Sequence, residues 1–107
     1  MTPEQVERAL KAQKLYRAQN AKEGRAEWDV IDYAAGFTAD VGQLTKLIMV
    51  KANKRGIAGD VDQMLQHEIG DCLWSLIIIC SELGITLEDC LEKTLNDLEE
   101  RLKGVEL

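Results

Sequence analysis

Residues 67–74 read HEIGDCLW, and the apolar run SLIIIC follows directly. Glu68 and Asp71 stand three apart at the mouth of that run. On a helix this spacing puts both carboxylates on one side, with Cβ atoms about 5–6 Å apart. Two carboxylates so placed repel each other, and the cost rises with burial unless a cation lies between them. Oxygen ligands in this arrangement suit a hard ion such as Mg2+, which keeps several waters and binds substrate phosphates. The same residues also read as the solvated flank of an amphipathic helix, with His67 and Asp71 as an i,i+4 pair. Two other metal chemistries are excluded by residue type. A zincin needs HExxH, and Asp71 stands where the second histidine belongs. A di-iron bundle needs Glu-x-x-His on two helices, and the chain has one histidine.

A second polar pair lies upstream. Asp40 and Gln43 are again three apart and flank an apolar stripe on the preceding helical segment. A short turn joins the two segments, so they are expected to pack antiparallel and to bring Asp40, Gln43, Glu68 and Asp71 to one pocket. Lys46, Lys51, Lys54 and Arg55 lie just beyond as candidate phosphate contacts. Each of these cations also reads as positive charge favoured at a helix C-terminus.

Helical periodicity dominates the elements that must position these groups. The first helix starts at Thr2 or Pro3, with Thr2 as N-cap, and runs out near Glu23–Gly24. Val6, Ala9, Leu10, Gln13 and Tyr16 line one face of it. The second is expected from about Trp28 to Arg55, closed by Gly56, with the stripe Val30, Ala34, Phe37, Val41, Leu44 and Ile48. Asp60 caps the third, with Gln63 completing a capping box, and Gly84 ends it after Leu83. Met64, Leu65, Ile69 and Cys72 form its first apolar face, whereas LWSLIIIC is apolar nearly all round. Such a segment in so small a chain calls for another copy of the chain as cover. Thr86 caps the fourth helix, with Glu88 and Asp89 in its first turn and a stripe of Leu87, Leu91, Leu95, Leu98 and Leu102. The expected fold is all-α, an oligomeric four-helix bundle with antiparallel neighbouring helices, in one domain over 1–107.

Composition agrees with a globular chain. Its 107 residues are 46% hydrophobic and 30% charged. A chain of this size buries roughly 65% of its unfolded surface, enough for one core. The only proline is Pro3, so nothing breaks the later helices. A net charge of −6 disfavours nucleic acid and anionic membranes as partners. A small phosphorylated ligand fits if a cation screens it. The start MTPEQVERAL lacks the pattern of a signal peptide, and LWSLIIIC is too short to span a bilayer. Cys72, Cys80 and Cys90 lack CxxC spacing and read as reduced core thiols of a cytoplasmic protein.

From Glu68 onward the chain resembles the MazG-like, all-α nucleoside triphosphate pyrophosphohydrolases. Their pattern is EExxE on one helix and ExxD on the next. The stretch HEIGDCLWSLIIICSELGITLEDCLEKTLNDLEERL carries the likeness through Glu68, Asp71, Leu73, Trp74, Glu82 to Ile85, Lys93 and Arg101. The first motif departs from the family: TADVGQL puts Ala39, Asp40 and Gln43 where three glutamates belong. The resemblance implies Mg2+, with Mn2+ as a substitute, held by Asp40, Gln43, Glu68 and Asp71. Glu68 and Asp71 are then the catalytic pair, and water attacks the α-phosphorus to release a monophosphate and pyrophosphate. It further implies substrate contacts from Lys93 and Asn96 and a homodimer or homotetramer, and Trp28 reads equally as a base-stacking residue or as an interface or core aromatic. Lys46 and Lys54 join that substrate set. The lost acids leave open a non-catalytic helical oligomer that binds a nucleotide or a protein.

Overall fold

Four stretches of the chain carry their own start signals, and the computed structural model, which describes all of residues 1–107, makes each a helix. No strand forms. Helix α1 spans Pro3–Lys22. The Thr2 side chain accepts from the Gln5 backbone, and the Gln5 side chain accepts from the Thr2 N–H. Helix α2 spans Val30–Lys51, shorter at both ends than expected. Trp28 stands outside it because Asp29 is the N-cap, its carboxylate accepting from the backbone of Ile31 and Asp32. The far end comes before Gly56 because Asn53 takes the left-handed conformation, φ 60°, which asparagine tolerates better than most residues. The Lys54 N–H then bonds back to the Met49 carbonyl at 2.8 Å. Helix α3 spans Val61–Glu82, capped by Asp60 through the backbone of Asp62 and Gln63. The expected return bond from the Gln63 side chain does not form. Leu83 caps the other end, and Gly84 at φ 73° turns the chain. Helix α4 spans Leu87–Arg101, capped by Thr86.

Helices α2 and α3 form an antiparallel hairpin. Lys51 meets Asp62 at 2.7 Å beside the turn, and Tyr33 meets the Trp74 ring at 6.2 Å near the other end. The core lies along this seam, where Leu47 and Ile78 are the most deeply buried side chains. Truncating a residue such as Leu47 to alanine costs about 2–5 kcal/mol. The inward face of α2 runs through Val30, Tyr33, Phe37, Asp40, Leu44, Leu47 and Val50. That is a rotation from the expected stripe: Phe37 and Leu44 stay inside, whereas Ala34, Val41 and Ile48 are exposed. Tyr33, packed edge-on between Trp28 at 5.4 Å and Trp74, sets the rotation. The turn matters for chemistry, because it places Asp40 in the seam instead of on its flank.

Helix α1 lies against α3. The Trp74 indole N–H donates to the Ala9 carbonyl at 3.1 Å, and Glu82 accepts from Gln13 at 2.7 Å and from Arg17 at 2.8 Å. Tyr16, expected on the buried face, is instead more than half exposed and packs edge-on against Trp74 at 5.8 Å. These contacts correct the reading of LWSLIIIC. Cys72, Ser75, Ile77, Ile78 and Cys80 are buried by the chain's own helices, leaving Leu73 the most exposed member of the run. Ile69, expected on the apolar face, is also exposed. Uncovered apolar surface lies mainly elsewhere, on Leu91, Leu95, Leu98 and Leu102 of α4 and on Ile31, Val41 and Ile48 of outer α2. Helix α4 leaves α3 at 100° and packs against no other helix, so the four helices do not close into a bundle within one chain. No single helix is long and apolar enough to cross a membrane.

Candidate metal centre

The hairpin seam is apolar except at its middle, where Asp40 of α2 and Glu68 of α3 occupy inward positions. Both are half-buried, as is Asp71 one turn further along α3. The ligating atoms of His67, Glu68 and Asp71 all lie within 4.8 Å of one another. His67 Nε2 is 3.1 Å from Asp71 Oδ2. One Glu68 oxygen, Oε2, is fully enclosed and has no hydrogen-bond partner.

Charge at this spot is poorly balanced. Burial raises the Glu68 carboxyl above its usual range, the Asp40 and Asp71 carboxylates push it further up, and His67 opposes them. Burial also raises the Cys72 thiol, again reinforced by Asp40, Glu68 and Asp71. Two side chains on α3 therefore sense Asp40 across the seam. An enclosed, unpartnered carboxylate oxygen costs about 1–3 kcal/mol or more. A divalent cation would supply the missing partner and cancel the repulsion, so the residues present fit such an ion. Asp71 and Glu68 would hold it from α3 and Asp40 would face it from α2.

The remaining candidates are spread along the molecule. Gln43 lies one turn beyond Asp40 on α2 and is exposed, as is Ala39. Lys46 is exposed on α2, about 9 Å of helix from Asp40 toward the turn. Lys54 lies past the end of α2, and neither lysine has an ion-pair partner. Lys93 and Asn96 are exposed on α4, where Lys93 stands 3.7 Å from Asp97. Trp28 packs on Tyr33 and over Gly36, which lies about 6 Å of helix before Asp40. One chain thus gathers Glu68, Asp71 and His67 with Asp40 opposite, and leaves the lysines, Asn96 and Trp28 outside that group. His67 was legible as the partner of Asp71, while its place beside both acids needed the geometry.

The model of the MazG nucleotide pyrophosphohydrolase domain matches residues 49–106, just over half of the chain. The chain belongs to the MazG family. The matched span takes in the end of α2 and all of α3 and α4, so it contains Glu68, Asp71, Lys93 and Asn96. It starts after Asp40 and Gln43. No curated protein and no solved structure gives a significant match to this MazG chain.

Proposed function

We propose that this MazG chain is a divalent-metal-dependent nucleoside triphosphate pyrophosphohydrolase, converting an NTP or dNTP to its monophosphate and pyrophosphate. The observation that carries the reading is the enclosed, unpartnered Glu68 oxygen beside Asp71 and opposite Asp40. A polar group left so inside a seam is a cost to folding that a bound ion removes. Glu68 and Asp71 are the catalytic pair and, with Asp40, the charged ligands; Gln43 offers a neutral oxygen. A bound Mg2+ or Mn2+ would neutralise triphosphate charge and help position the attacking water. Lys46, Lys54, Lys93 and Asn96 contribute to phosphate binding, and Trp28 to stacking on the base. Three free thiols fit a reducing cytoplasmic setting.

Substrate contacts so widely spaced call for more than one chain, and the exposed surface supports this. The chain exposes 8381 Å2. A compact monomer of its mass exposes about 6,000 Å2. An excess of about 2,400 Å2 per chain amounts to about 4,800 Å2 over two chains, within the obligate range of interfaces, 2,000–5,000 Å2 or more in total. A second copy covers the leucine face of α4, giving a homodimer or a homotetramer.

Pyrophosphate release over a panel of ribo- and deoxynucleotides, with Mg2+ or Mn2+, tests the activity. Release lost in Glu68→Ala supports it, and no release from any nucleotide at high protein concentration refutes it. One observation favours a second reading, a helical oligomer that binds without turnover: Ala39 and Gln43 bring no charge, and both are exposed. That reading requires ligand binding to survive Glu68→Ala, which calorimetry decides.

A further inference from the structure

The metal reading above rests on carboxylates, yet the tightest group of ligating atoms on the molecule includes a nitrogen. His67 Nε2 lies with the Glu68 and Asp71 oxygens inside a span of 4.8 Å. It stands 3.1 Å from Asp71 Oδ2. Ligands bound to one ion at about 2.0–2.2 Å and at right angles lie about 3 Å apart. The observed separation is that of two neighbouring ligands on one ion, and equally that of an N–H···O hydrogen bond. As an ion pair between side chains 71% and 45% exposed, the same contact contributes at most about 1 kcal/mol.

Helix geometry makes the group three-cornered. His67 and Asp71 are one turn apart, and Glu68 lies between them, turned toward the seam. Three donors on one side leave the rest of the ion's shell to Asp40, which faces Glu68 across the seam, and to water and substrate oxygens. Glu68 brings a carboxylate oxygen to this group, and its enclosed Oε2 has no protein partner that a bound ion would have to displace. Opposite, on α2, Ala39 and Gln43 provide no carboxylate, so the site is poorer in charge than four or five acids would make it.

We propose that His67 is a third ligand at this centre, its Nε2 joining Glu68 and Asp71 on one side of a single ion, and that the chain thereby prefers a first-row transition ion such as Mn2+ or Co2+ to Mg2+. Mg2+ favours oxygen and sheds water reluctantly, whereas imidazole suits the transition ions and gains in strength from Mn2+ to Co2+. His67 is thus the residue that sets metal preference. This inference rests on the proposed metal site but not on turnover.

The test uses the full chain with Mn2+, Co2+ or Mg2+ alone, without nucleotide. Calorimetry gives the affinities of the wild type and of His67→Gln, and pulsed electron paramagnetic resonance of the Mn2+ form reports directly bound nitrogen. Loss of an outer partner of a ligand alone costs about 10–100-fold in metal affinity. His67→Gln should therefore lower Co2+ and Mn2+ affinity at least about tenfold, leave Mg2+ within about twofold, and abolish the nitrogen signal while residual Mn2+ stays bound. A wild type that binds Mn2+ with no nitrogen signal overturns the role of His67 and leaves the carboxylate site standing. A wild type that binds none of the three ions overturns both. Thermal melting of His67→Gln without metal, unchanged from wild type, separates a ligand effect from misfolding.

Discussion

Glu68→Gln is expected to make the metal-free protein more stable. Glu68 and Asp71 have ligating atoms within 4.8 Å, so their charges repel. At that distance two unit charges cost about 3.5 kcal/mol at an effective dielectric of 20, and about 0.9 kcal/mol in bulk water. The Asp71 side chain is 45% exposed, which moves the figure toward the lower limit. Burial and the facing Asp40 add to the penalty, and His67 offsets part of it. A gain of about 1 kcal/mol follows, or a melting temperature higher by about 4–8 °C. The pH dependence has a definite sign. The folded-state pKa of Glu68 lies above the unfolded one, so the folded protein carries the penalty at neutral pH. As pH falls through the raised pKa, Glu68 protonates and the penalty disappears; it is gone below the ordinary carboxylate value. The advantage of Glu68→Gln over wild type must therefore shrink on acidification. Adding Mn2+ at 100 times its dissociation constant should stabilise the wild type by about 2.7 kcal/mol and the variant far less. Calorimetric melting with and without metal, from neutral to acid pH, reads all three. A variant less stable than wild type without metal, or equally stabilised by it, refutes the electrostatic reasoning.

Gln43→Glu places a carboxylate one turn from Asp40 and is expected to raise Mg2+ affinity about tenfold, a change of about 1.4 kcal/mol; unchanged calorimetric affinity would show that this side chain does not reach the ion. Leu95→Glu combined with Leu98→Glu is expected to shift the protein toward monomer in light scattering while α-helix content stays the same, because both side chains are exposed on α4 within one chain. Retention of the wild-type mass would place the contact between copies elsewhere. Cys72 and Cys80 are buried with thiol pKa values raised by that burial, so alkylation at neutral pH should be slow for both and should accelerate on unfolding in urea.

Much of the helical plan was legible in the sequence because caps are local. Thr2, Asp60 and Thr86 each bond within three residues of themselves, and glycine at 84 takes the positive φ that ends α3. Glycine punctuation points to Gly56 as the end of α2, but Asn53 adopts the left-handed turn and ends it earlier. Rotation of α2 was not legible for a different reason. That helix carries two apolar stripes, one through Tyr33, Phe37, Leu44 and Leu47 and one through Ile31, Val41 and Ile48, and periodicity cannot rank them. Tertiary packing of Tyr33 against Trp74 decides, and with it the inward placement of Asp40. That Glu68 and Asp71 lie side by side follows from spacing alone, since i,i+3 neighbours meet on any helix. The contact of Asp71 with His67 follows the i,i+4 form of the same rule, whereas the closeness of His67 to its next neighbour Glu68 is a matter of side-chain direction, which spacing does not give. Interactions across the elbow were out of reach, so α4 was expected to close a bundle that it instead leaves open.

The most direct test of the proposed metal centre is a crystal structure of the full chain grown with Mn2+, with anomalous scattering recorded at the manganese edge. A single peak between α2 and α3, about 2.2 Å from oxygens of Glu68 and Asp71 with Asp40 facing it, is expected. A fully ordered seam without a peak at saturating Mn2+, or manganese bound only at other carboxylates, would contradict the assignment of Glu68 and Asp71 as ligands.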